Sequence, residues 1–150
     1  MTIVNVGDLI CEIEMKFTKV TEYGINLNDL RSGAADIHPS GVRFDFVFDG
    51  IVRGSRLNGT ITGIDYLYIR PDAQFHTRIY ATLTTNDGVN ISCLSEGATV
   101  QQEGSTLFPI RNKVSFITAS PDYEWLNQIQ GLSIGMADPG KGVDVKIYEP

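Results

Sequence analysis

The chain is poor in the residues that most reactive sites are built from. Its 150 residues include two histidines, His38 and His76, and two cysteines, Cys11 and Cys93. None of these stands at zinc-ligand spacing with a neighbouring carboxylate. There is no Gly-x-Ser-x-Gly elbow of a serine hydrolase. "RGSRLNG" has glycines but lacks the Gly-Lys-Ser/Thr ending and following helix of a phosphate loop. Basic residues are also scarce, 12 against 18 acidic, for a net charge of -6. Neutralising phosphates needs a basic face, so nucleic acid is excluded as a partner, and an anionic membrane surface with it. The opening "MTIVNVGDLI" carries neither a basic stretch nor a long apolar run, which predicts a cytoplasmic protein with free, buried thiols.

What is present is alternation. Leu9, Cys11, Ile13, Met15 and Phe17 alternate with Ile10, Glu12, Glu14 and Lys16, the period of a half-buried strand. "VRFDFVFDG" repeats the device with Val42, Phe44, Phe46 and Phe48 on one side, and its Asp49-Gly50 reads as a hairpin turn. Further strands are predicted near Ile51–Ile61, Asp65–Arg70, Phe75–Thr84, Val89–Leu94, Val114–Ala119, Leu132–Met136 and Val143–Tyr148. "RPDAQ", "TNDGV" and "MADPGKG" supply turn residues between several of them. Two longer connections, Lys19 to Gly41 and Glu96 to Arg111, are lids or loose bridges. In "SPDYEWLNQ", Ser120 suits an N-cap and Pro121 a first helical position. The expectation is a single all-β domain over 1–150, a closed or nearly closed antiparallel barrel of about nine strands with one short helical turn. Gly54 and Gly59 would mark its corners.

"GIVRGSRLNGTITGIDYLYIRPD", "TLTTNDGVNI", "FITASPDYEWLN" and "VDVKIYEP", taken in order, resemble the domain-of-unknown-function family 3237. The resemblance covers Val42 to Pro150 and implies a small β-barrel of a kind found in bacteria and fungi, mostly without an assigned activity. Tyr66 departs from the family's frequent tryptophan after the aspartate.

The turn at Pro71-Asp72-Ala73 allows a geometric inference. If Arg70 faces Gln74, then Tyr68 faces His76 and Tyr66 faces Arg78, which gathers these residues and Tyr80 on one face. The other face carries Leu67, Ile69, Phe75, Thr77, Ile79 and Ala81, with Asp65 as its single charge. In one reading the apolar face lines the barrel, and burial raises Asp65 toward neutrality, as an acid–base catalyst needs. In the other the Tyr/His/Arg face lines a polar pocket. The plainer alternatives are Asp65 capping the backbone near Gly63, His76 and Arg78 on a solvated face or subunit contact, and Trp125 plugging a barrel end.

These readings make Asp65, Arg56 and Tyr66 the catalytic candidates. Arg53, Phe46, Arg70, His76 and Trp125 are the candidate substrate-binding residues. No metal and no cofactor is expected. The function they suggest is a cofactor-independent isomerase, cyclase or lyase for a small apolar carbonyl or phenolic metabolite. The alternatives are a non-catalytic carrier of such a ligand and a homo-oligomeric scaffold.

Overall fold

A computed structural model describes residues 5–150. Its strands are β1 (Asp8–Glu22), β2 (Val42–Arg53), β3 (Gly59–Ile69), β4 (Phe75–Thr85), β5 (Asn90–Thr99), β6 (Phe108–Ile117), β7 (Gln130–Asp138) and β8 (Gly142–Glu149). Each pairs antiparallel with the next, and β8 returns to β1, so eight strands close into a barrel with no free edge. The alternation read from the sequence sets the inside. Val42, Phe44, Phe46 and Phe48 of β2 are all buried, as are Ile61, Asp65, Leu67 and Ile69 of β3.

Nine predicted runs become eight strands because Asp49-Gly50 is not a turn. β2 continues through it to Arg53, with Gly50 opposite Met15 of β1. A Cβ at Gly50 would run into the carbonyl of Glu14, so the glycine permits close approach of two strands. The reversal comes later, at Gly54–Asn58. There the Asn58 amide donates to the Gly54 carbonyl at 2.7 Å and its oxygen accepts from Gly54 N–H at 3.1 Å. Gly54 therefore belongs to a turn and Gly59 opens β3; neither is a barrel corner.

The reversals divide between two ends. Gly54–Asn58, the β4–β5 turn and the β6–β7 connection share one end, which is sealed. Leu57 and Leu126 are wholly buried there, each burial contributing roughly 1.5–3 kcal/mol. Asn86 N–H donates to the Asn58 carbonyl at 2.9 Å, and the Tyr123 hydroxyl donates to Asp87 at 2.8 Å, tying the three connections together. "SPDYEWLNQ" folds here as a 3₁₀ turn over Glu124–Gln128. Tyr123, not Ser120, holds the cap position and makes no side-chain cap bond. The segment is pinned instead by Asn127, whose side chain accepts from Thr118 N–H and donates to the Thr118 carbonyl, both at 2.8 Å.

At the other end the Lys19–Gly41 stretch contains α1 (Leu27–Ser32), a helix the alternation did not reveal. Asn26 caps it by accepting from Asp29 N–H, and Gly33 ends it at φ 82°. Ile25, Leu27, Leu30 and Ile37 pack against the buried cluster of Val42, Phe44, Phe46, Leu67 and Ile69. The Glu96–Arg111 connection is shorter than expected, since β5 reaches Thr99 and β6 starts at Phe108. Among the described residues no helix is long and apolar enough to cross a membrane.

Candidate functional site

Between the sealed end and α1 the barrel is hollow. The cavity holds about 1020 Å³ and opens past Leu27, Leu30 and Ile37, the Pro71–Ala73 turn, Val100, Thr106 and Pro139. Its walls are mostly apolar, with Ile13, Met15, Phe46, Phe48, Leu67, Phe75, Ile79 and Val145 among them.

The β3–β4 hairpin decides which face looks inward. Ala73 N–H donates to the Arg70 carbonyl at 2.9 Å and Arg70 N–H to the Gln74 carbonyl at 2.9 Å. Tyr68 then pairs with His76, as the turn predicts. The Asp65, Leu67, Ile69 face with Phe75, Thr77, Ile79 and Ala81 lines the cavity. The polar-pocket reading is therefore corrected: Tyr66, Tyr68, Arg70, His76, Arg78 and Tyr80 have the opposite parity and lie outside.

Asp65 is 8% exposed and stands between Phe46 on β2 and Ile79 on β4. Among the described residues no cationic side chain forms an ion pair with it. Its Oδ1 accepts from Arg78 N–H on the neighbouring strand at 3.3 Å, not from a bend at Gly63. Burial pushes its carboxyl up from 3.8 to about 7, opposed weakly by that hydrogen bond and the more distant charge of Arg43. A carboxyl placed so can both take and give a proton near neutral pH.

The other candidates are dispersed. Phe46 lines the cavity with Asp65. Arg56 sits in the Gly54–Asn58 reversal with its guanidinium 3.7 Å from the centre of the Trp125 ring. That stack lies over the sealed end with Arg56 exposed, and neither residue lines the cavity. Arg53 points outward toward Glu14 at 3.8 Å. Because β2 runs on through Gly50, both arginines finish far along the barrel from Asp65. Tyr66 packs edge-on against Tyr80 on the outer face. Arg70 bonds Asp72 at 2.7 Å and Gln74 at 3.0 Å, pinning the turn, and His76 Nε2 meets Gln74 at 2.7 Å.

A second polar group on the wall was not anticipated. Asn112 of β6, only 3% exposed, donates to Thr77 Oγ1 at 3.1 Å and to Ser95 Oγ at 3.0 Å. Ser133 of β7, opposite Asn112 in register, is 4% exposed and also faces the cavity. Gly97 makes room for this group, since a Cβ there would collide with Asn112 Oδ1. The available signal was parity: Asn112 occupies an inward position between Ile110 and Val114, and Ser95 one after Cys93.

A model of the family described as "Protein of unknown function (DUF3237)" matches residues 15–149. Solved structures share the fold. One is a protein of unknown function from Clostridium acetobutylicum ATCC 824, 22% identical over 95% of this chain and 96% of that one, with TM-score 0.76. A beta-barrel like protein from Acinetobacter baumannii AYE is 21% identical over 94% and 92%, with TM-score 0.71. An enzyme from Penicillium herquei is 16% identical over 94% and 92%, with TM-score 0.62. No curated protein sequence matches the chain significantly.

Proposed function

The chain belongs to the DUF3237 family, and from that footing we propose that it is a cofactor-independent, cytoplasmic enzyme of isomerase, cyclase or lyase type. Its substrate is a small, largely apolar carbonyl or phenolic metabolite held inside the barrel. The observation that carries the reading is Asp65, a lone carboxylate on an apolar cavity wall with its carboxyl raised to about 7. As a base it takes a proton from the carbon beside a carbonyl; the C–H electron pair becomes a C=C bond and the carbonyl π pair moves onto oxygen, giving an enolate. Returning the proton to another carbon isomerises the substrate; expelling a leaving group completes an elimination. The apolar wall excludes water while this happens. That the Penicillium herquei neighbour is an enzyme supports the reading only in that a barrel of this shape carries catalysis.

Proton exchange tests this without knowledge of the substrate. A panel of aryl ketones in deuterium oxide should gain deuterium beside the carbonyl in the presence of the native protein and not with Asp65→Asn. Equal exchange with both proteins would falsify the acid–base reading.

A second reading, a non-catalytic carrier, draws on the breadth of the apolar wall, which binds by burial and needs no titrating group. Under it Asp65→Asn still retains ligand and the native protein exchanges nothing. A homo-oligomer would use the exposed outer tyrosines Tyr66 and Tyr80 with Arg78; light scattering that returns a monomer ends that idea.

A further inference from the structure

An arc of the wall running from Thr77 on β4, the strand beside Asp65, to Ser133 on the facing strand β7 holds hydrogen-bonding capacity that the protein itself does not use. Both amide hydrogens of Asn112 are spent on Thr77 Oγ1 and Ser95 Oγ. Having accepted there, the Ser95 hydroxyl directs its own proton elsewhere, and among the described residues no acceptor meets it. Asn112 Oδ1 likewise has no donor among them, and the Ser133 hydroxyl has no partner of either kind. Turning the amide over would exchange these roles and leave its NH₂ group without an acceptor. In either orientation the cluster is incomplete.

Among the described residues no wholly enclosed side-chain nitrogen or oxygen lacks a hydrogen-bond partner, so the unpaired Asn112 Oδ1 and Ser133 Oγ both keep accessible surface. Ser95, Asn112 and Ser133 are all under a tenth exposed, and all three line the cavity. The missing partner therefore approaches from the hollow. Position fixes what that partner is attached to. β7 lies four strands from β3 in either direction around the eight-stranded ring, so Ser133 and Asp65 belong to facing walls. β5 and β6 carry the rest of the cluster between them. The flanking surface is apolar, with Phe48, Ile110 and Val145.

We propose that Ser95, Asn112 and Ser133 form a second polar subsite for a ligand oxygen away from Asp65, so that the cavity selects apolar molecules carrying two separated oxygens. This rests on the cavity being the ligand site and adds a second point of recognition to it. A hydroxyl or carbonyl oxygen accepts from the serines, and a hydroxyl can also donate to Asn112. Molecules with a single oxygen leave the cluster unmatched and bind less tightly.

The test compares naphthalene, β-naphthol and the dihydroxynaphthalenes with one hydroxyl on each ring, titrated against the native protein by calorimetry. Each added hydroxyl should tighten binding by about fivefold for the best isomer. Ser95→Ala combined with Ser133→Ala should shrink the second step below about twofold and leave the first unchanged. Asp65→Asn should alter the first step alone. A second step that survives in the double serine variant, or that is missing from the native protein while the first is present, overturns the subsite and leaves the cavity reading intact. If the native protein binds not even naphthalene, both fall.

Discussion

Replacing Asp65 with asparagine should change stability only where the carboxyl of the unfolded chain is ionised. Asparagine keeps the shape of the side chain and an oxygen for Arg78 N–H, but carries no charge at any pH. A carboxyl raised from 3.8 to about 7 corresponds to roughly 4 kcal/mol between its ionised and neutral forms. The folded protein holds that proton more tightly than the unfolded chain does. The cost is therefore absent below the unfolded carboxyl's range, grows as pH rises through it, and is complete above about 7. The other carboxylates are common to both proteins and cancel in the difference. Urea denaturation at about pH 4 and about pH 8 measures it. At the acid end the two proteins should agree to within about 1 kcal/mol, the scale of one exchanged hydrogen bond. At the alkaline end the asparagine variant should be more stable by about 2–4 kcal/mol. A difference that does not vary with pH refutes the reasoning. So does a carboxyl-carbon NMR titration that places Asp65 in the ordinary carboxylate range, because that carboxylate would be solvated.

Burial pushes both cysteine thiols up to about 12, so iodoacetamide near neutral pH should leave Cys11 and Cys93 unlabelled until the protein is unfolded, as mass spectrometry would show. Leu126→Ala, which empties a wholly buried position in the sealed end, should cost about 2–5 kcal/mol in a denaturant melt. Ala73 holds φ 69° in the β3–β4 turn, and Ala73→Gly should raise stability by up to about 1 kcal/mol, the relief of a left-handed backbone less the added chain entropy. Arg56→Ala removes the stack on Trp125; the melting free energy should fall by about 0.5–1 kcal/mol, with deuterium exchange into aryl ketones unchanged. A loss of exchange would bring Arg56 back into the chemistry.

Strand parity carried most of what the sequence could say. It put Phe46 with the apolar side of β2 and grouped Asp65 with Leu67 and Ile69, while leaving open which face of the β3–β4 hairpin looks inward. The Pro71–Ala73 turn gave the Tyr68–His76 register that the structure has. Both are local: one depends on the pleat, the other on a short reversal. Asp49-Gly50 failed because the same glycine serves a turn and a close approach between strands. Only the partner, here Met15 with Glu14 beside it, tells them apart. Arg56 as a catalytic group and Trp125 as a substrate contact misled for a related reason, while the reading of Trp125 as a barrel-end residue agrees with its position. Their stack exists because distant connections meet at one end of a closed ring, and no spacing along the chain expresses that. Asn112 and Ser95 were missed because the strands read from the sequence began at Val114 and ended at Leu94, short of both, whereas β6 starts at Phe108 and β5 runs to Thr99. α1 escaped because six residues are too few to show a helical period.

A hollow stoppered by Leu57 and Leu126 is a cul-de-sac. Whatever goes in past α1 must back out by the same route, so a product cannot be handed onward while the next substrate queues behind it. Traffic is strictly one at a time, and an occupant that fits too snugly becomes its own obstruction. A molecule longer than the hollow is deep would leave its tail beyond Ile37 and Pro71, in water, where a reporter group could be hung without disturbing the wall that grips the rest.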